Sequence, residues 1–91
     1  MELRQYPIWI GERICVNIPE FSVFLSVGVN TTGILRLSYL CEPHLGYVNR
    51  FISVVYTAEG GVSYIPSRLL TLIGSCPAPV GGVYHVFEEV S

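Results

Sequence analysis

The sequence predicts an all-β fold: a small antiparallel sandwich or barrel of five to seven short strands, in one domain spanning 1–91, oligomerised. Three observations carry this. Apolar residues recur with period two rather than 3.6. Gly, Pro and Asn turn signals separate the periodic runs. A chain of 91 residues that is 51% hydrophobic is one domain with a core to fill.

The elements are taken in chain order. Tyr6 to Ile10 reads as a short strand, and Pro7 places it at an edge. From Arg13 to Ile18 the chain alternates, with Ile14, Val16 and Ile18 on one face. Val23, Leu25, Val27 and Val29 then share a face, opposite Phe24, Ser26 and Gly28. Asn30-Thr31-Thr32-Gly33 is a turn with Gly available for positive φ. Ile34 to Cys41 runs back, with Leu35, Leu37, Tyr39 and Cys41 on one side and Arg36 and Ser38 on the other. The two runs make a β-hairpin. A loop spans Glu42 to Asn49, and Arg50 to Thr57 is a strand apolar on both faces, as in one covered on both sides. A second loop runs from Glu59 to about Arg68. Leu69 to Ser75 is short, which favours a strand, but Leu69, Leu72 and Ile73 also fit helical spacing. Cys76-Pro77-Ala78-Pro79 cannot join a central ladder, and Gly81-Gly82 opens a last strand from Val83 to Glu88.

Charge usage is unusual. Charged residues make up 13% of the chain, about half the ~25% of an average soluble domain. That excludes a disordered, solvating chain. A net charge of -2 argues against a nucleic-acid binder that works through bulk charge. There is no Lys and no Asp. Lys usually keeps strand edges solvated, whereas Arg suits interfaces and bidentate anion binding. So short a domain leaves part of its apolar surface outside its own core, which predicts a homo-oligomer. No apolar run reaches the ~20 residues of a membrane-spanning helix, so no membrane partner is expected. The start, Met1-Glu2-Leu3-Arg4-Gln5, does not read as a secretory leader. Cys15, Cys41 and Cys76 are an odd number without a Cys-x-x-Cys pair, which reads as reduced thiols in the cytoplasm, small core or interface residues.

Three stretches carry a family resemblance: Tyr6-Pro7-Ile8; Ile18-Pro19 running into the strand with Val27; and Leu72-Ile73-Gly74 followed by Gly82-Val83-Tyr84-His85-Val86-Phe87-Glu88. With these the chain resembles a family of short phage-encoded β proteins of unassigned function. Ser38-Tyr39-Leu40 to Arg50 departs from that pattern. The resemblance implies a phage origin, and so the cytoplasm of an infected bacterial host. It brings no catalytic residues. Small phage proteins of this kind often take over the host or counter its defences, by covering a host protein or by sequestering a nucleotide signal.

Chemistry-bearing motifs are sparse. No His, Cys or Glu set has zinc-ligand spacing. Gly61-Val62-Ser63-Tyr64-Ile65 is not a nucleophile elbow. Glu88 and Glu89, adjacent on a strand, would face opposite ways. No enzymatic activity, metal or cofactor is expected. His85 reads as a satisfied, half-buried strand histidine, and His44 as a loop residue, solvated or functional. Gly60-Gly61 and Gly81-Gly82 read as turns before anion nests. The best signal is Arg with aromatics, since a nucleotide needs stacking for its base and forked charge for its phosphate. Arg36, Arg50 and Arg68 would hold phosphates, while Tyr47, Tyr64 or His44 would stack on or hydrogen-bond the base. The expected function is sequestration of a small anionic, nucleotide-type immune signal by a homo-oligomer, without chemistry. The alternatives are an inhibitor docking on a host defence or regulatory enzyme, and a small structural phage protein.

Overall fold

Alternation is what the chain delivers, in eight strands: β1 (Glu2–Pro7), β2 (Gly11–Pro19), β3 (Val23–Val29), β4 (Leu35–Cys41), β5 (Tyr47–Ala58), β6 (Gly61–Val62), β7 (Leu70–Pro77) and β8 (Val83–Glu89). The computed structural model describes residues 1–63 and 69–90. A three-stranded sheet has the order β1-β4-β3, and a five-stranded sheet the order β2-β5-β8-β7 with β6 added to β5. Every pairing is antiparallel. The fold is the expected all-β class, and its eighth strand is the two-residue β6, inside the expected 59–68 loop.

The sheets face each other across one core. β4 contributes Leu35, Leu37, Tyr39 and Cys41; β2 contributes Ile14, Val16 and Ile18; β5 and β8 contribute Ile52, Val54 and Val86. Val16, Ile18, Leu37, Ile52, Val54 and Val86 are wholly buried. Each such side chain is worth roughly 1.5–3 kcal/mol on burial, so this layer supplies most of the folding drive. Cys41 lies in it, Cys76 is half-buried and Cys15 is exposed; all three are free thiols.

Three local expectations change, and the reading of Leu69–Ser75 as a strand holds. The first strand begins at Glu2 rather than Tyr6. Ile8–Ile10 instead carry the chain from one sheet to the other; Ile8 is buried and its N–H donates to Leu35 O at 3.0 Å. β5 starts at Tyr47, not Arg50. In β3, a register shift between Phe24 and Ser26 breaks the alternation. Phe24 therefore packs on the core with Val27 and Val29, while Val23 and Leu25 are exposed. In β7, a similar shift between Leu72 and Gly74 explains why Leu72 and Ile73 mimicked helical spacing. The segment is a strand at the sheet edge, where Pro77 is tolerated.

One end of the sandwich is closed by aromatic packing. The rings of Tyr56 and Tyr84 lie 5.7 Å apart, and the Tyr56 hydroxyl donates to Gly81 O at 2.7 Å. The β7–β8 turn is held by Ala78 N–H on Gly82 O and Gly81 N–H on Ala78 O. Gly82 has φ +81, and a Cβ there would sit 2.5 Å from Thr57 O. Only glycine meets both constraints. Gly82→Ala is expected to cost on the order of 1–3 kcal/mol, lowering Tm by several degrees. Gly46→Ala, with nothing within 4 Å of the new Cβ, is the control that should change little. Thermal denaturation of both variants checks this.

Candidate functional site

The outer face of the three-stranded sheet carries an arginine without a partner. β4 alternation sends Arg36, Ser38 and Leu40 outward, away from the buried Leu35, Leu37 and Tyr39. Register then sets their neighbours. Arg36 lies between Pro7 of β1 and Gly28 of β3; Ser38 lies between Gln5 and Ser26; Leu40 lies between Leu3 and Val23. A groove of about 160 Å³ runs over this face, lined by Gln5, Ser26, Gly28, Asn30, Arg36 and Ser38 among others. Gly28 leaves its floor open, since a Cβ there would meet nothing within 4 Å. The Arg36 Nε is buried and has no hydrogen-bond partner. Buried donors are nearly always satisfied, so such an orphan calls for an acceptor. Asn30 fixes the adjoining turn, its Oδ1 accepting from the Thr32 and Ile34 N–H groups at 3.0 and 2.9 Å.

The other described cations are spent. Arg50 faces inward at the opposite end of the sandwich. It donates to both Glu88 oxygens at 2.6 and 2.7 Å, to Ser22 O, and lies 4.1 Å over the Phe24 ring. Arg13 bonds Glu89 at 2.8 Å and lies 3.8 Å over Phe51 on the outer face of the five-stranded sheet. Glu88 and Glu89 thus leave opposite faces, as expected. Arg4 donates to Glu2 at 2.5 Å and to the Tyr47 hydroxyl at 3.0 Å. Those two contacts, the hydroxyl first, push its pKa above the ordinary arginine value.

The expected site residues that are described, Arg36, His44, Tyr47 and Arg50, do not converge. His44 is exposed in the β4–β5 loop, with Nδ1 3.8 Å from Glu42. Tyr47 belongs to the Arg4 cluster rather than to Arg50; three residues apart on β5, Tyr47 and Arg50 leave on opposite sides. The loop bearing His44 and Arg36 lie at opposite ends of β4, about 20 Å apart at ~3.4 Å per residue. Tyr64 and Arg68 lie outside the described residues. Arg36 is therefore the expected residue that heads a groove. Its companions Gln5, Ser26, Gly28 and Ser38 were not singled out, although alternation plus the β3–β4 register puts three of them beside it.

No other arrangement matches a known chemistry among the described residues. His85 sits on the outer face of the five-stranded sheet, Nε2 2.8 Å from Thr57 Oγ1 and Nδ1 2.8 Å from Ser75 Oγ. Hydroxyls occupy both ring nitrogens, so the imidazole is satisfied and neither contact is the carboxylate that orients a catalytic histidine. Among the described residues no three His, Cys, Asp or Glu side chains group as metal ligands, and no helix is long and apolar enough to cross a membrane. A second cavity of about 390 Å³ opens beside β3 and β7, between Phe24, Arg50, Leu72 and Glu88. Its charges already satisfy each other. Comparison with protein-family models, curated proteins and solved structures found no match.

This geometry makes two outcomes measurable. Arg50 and Glu88 are each about three-quarters shielded from solvent. Arg50→Met or Glu88→Gln alone should cost about 1–3 kcal/mol in urea denaturation, and the pair Arg50→Met with Glu88→Leu should recover part of that. Burial, aided by Cys41, also raises the Tyr39 pKa above the ordinary 10.0. The unfolded chain then releases that proton first, so stability is full below pH 10 and falls as pH rises past it. Tyr39→Phe should shallow that fall, measured as Tm against pH.

Proposed function

We propose that this chain works by binding, without chemistry of its own, as a homo-oligomer that sequesters a small anionic ligand. The observation that carries this is Arg36: a groove-lining arginine with no carboxylate partner, its Nε buried without an acceptor, in a chain whose other described arginines are each paired with a carboxylate. Paired arginines hold the fold, and an unpaired one in a groove of donors fits an anion. The groove's 160 Å³ is below the ~300 Å³ at which pockets enclose a whole drug-sized ligand. It suits a charged head group, with the rest of the ligand on the sheet or against a second subunit. A phage origin, which the sequence resemblance implies, belongs to the same proposal; with it the role would be anti-defence in the host cytoplasm, with a nucleotide-type signal as cargo.

A specific feature also favours the host-protein reading. The β1–β2, β3–β4, β5–β6 and β7–β8 connections gather at one end of the sandwich, where Gly33 approaches Pro79. They expose Trp9 (59%), Ile10, Ile34, Val62 and Val80 (89%). Apolar loop tips on a rigid sandwich form a docking end.

Native mass spectrometry before and after denaturation, followed by thermal shifts with linear and cyclic nucleotides, tests the first reading. Sequestration gives an oligomer and a ligand-dependent shift. At one hundred times Kd the gain is ~2.7 kcal/mol, on the order of 10 °C for a domain this size. Arg36→Gln should abolish it. A monomer with no shift in any nucleotide, whose capture of a host protein is lost in Trp9→Ser, overturns it in favour of docking.

A further inference from the structure

Resting on the anion-binding reading, the geometry points to a phosphate monoester with an uncharged, apolar body as the ligand: its phosphoryl head at Arg36 and its body along the sheet over Leu40. Two observations combine here. The first is the chemistry at the head. The Arg36 guanidinium has no carboxylate partner, and its Nε is buried without an acceptor. A planar carboxylate would be satisfied by that fork alone. Ser26, Ser38 and Gln5 also line this groove and add two hydroxyls and an amide as further donors. A tetrahedral phosphoryl group, with three terminal oxygens, uses all of them.

The second observation is the gradient of polarity along the face. Three cross-strand rows succeed one another: Pro7–Arg36–Gly28, then Gln5–Ser38–Ser26, then Leu3–Leu40–Val23. The outer face changes from cationic to polar to apolar in four residues, about 13 Å at strand rise. Leu3 (62% exposed) and Val23 are large apolar side chains in solvent on that third row. A ligand anchored at Arg36 and laid along β4 covers them. Neither the ion-paired Arg50 cavity nor the loop end offers both halves of this arrangement.

Equilibrium binding to the full chain, with inorganic phosphate, adenosine monophosphate, octyl phosphate below its micelle concentration, and octanoate, tests this. At least one ester should bind about tenfold or more tightly than inorganic phosphate, and octyl phosphate more tightly than octanoate. The two esters separate a nucleotide body from an alkyl one. Arg36→Gln should remove all binding. Leu3→Ser, at an exposed position, should remove the ester's advantage and leave phosphate unchanged. Gly28→Val adds bulk to the groove floor at a position where a Cβ meets nothing within 4 Å, so a folded variant that still binds phosphate overturns the placement. Equal affinity for phosphate and both esters overturns the apolar body, and equal affinity for octanoate and octyl phosphate overturns the phosphoryl head. In both cases anion binding at Arg36 stands. Failure of every probe to bind the folded wild-type chain instead overturns the anion-binding reading itself.

Discussion

The inner face of β4 is the constraint on which the rest of the molecule depends. Leu35, Leu37, Tyr39 and Cys41 alternate without interruption and are all buried. β4 is also the central strand of its sheet, paired by β1 on one side and β3 on the other. A one-residue slip would turn all four side chains to solvent and bring Arg36 and Ser38 into the core. The register of the three-stranded sheet is therefore held by apolar burial, together with the β3–β4 turn that Asn30 fixes. The outer face inherits that register: wherever the core locks Leu37, Arg36 must stand beside Gly28 and Pro7.

Charge is used sparingly because there is little of it. Two of the paired arginines combine a carboxylate with an aromatic face, Arg50 with Phe24 and Arg13 with Phe51. Guanidinium is flat and weakly hydrated, so one cation can pack and pair at once. Lysine could not do this as well, which gives the absence of Lys a physical sense. Arg50 illustrates the trade. It ties the start of β3 to β8 by reaching Ser22 O and Glu88, and those bonds occupy it.

Much of the fold was legible, and the reasons for the misses are local. Unbroken alternation read correctly in β4, in Ile14–Ile18 of β2 and in β8. It misled where a bulge inserts a residue, at Leu25 and at Ile73. A bulge has no strong sequence signature, yet it moved Phe24 inward and made Leu72-Ile73 look helical. The site was less legible. Residue type picked out Arg36, Arg50, Tyr47 and His44 equally, because chemistry alone ignores which face a side chain leaves from. Arg50 occupies an inward position at which burial against Phe24 and Glu88 wins over solvent. Glu88 lies 38 residues away, so that pairing could not be read from spacing. Ser26, Gly28 and Ser38 carry weak signals singly and matter only once the hairpin register aligns them with Arg36.

The two binding readings share a border, which bears on how the protein could act. Pro7 is the cross-strand neighbour of Arg36, and the chain runs from it directly into Ile8, Trp9 and Ile10. Ile8 is tied by its N–H to Leu35, the residue before Arg36, while Ile34 lies just beyond. A ligand head over Gly28 therefore sits next to the rim of the apolar loop end. Anything docked on Trp9 and Ile34 would be adjacent to that ligand, and a ligand that steadies Pro7 and Arg36 also steadies the segment carrying Trp9. Where two sites share ordered backbone, filling one changes the cost of filling the other, by the same factor in both directions. The groove is small for a whole ligand, so on the proposed reading cover for the part left outside it would come from beyond this chain. Were the proposed oligomer to form, the apolar rim of Trp9, Ile10 and Ile34 is the exposed surface beside the groove that could supply that cover.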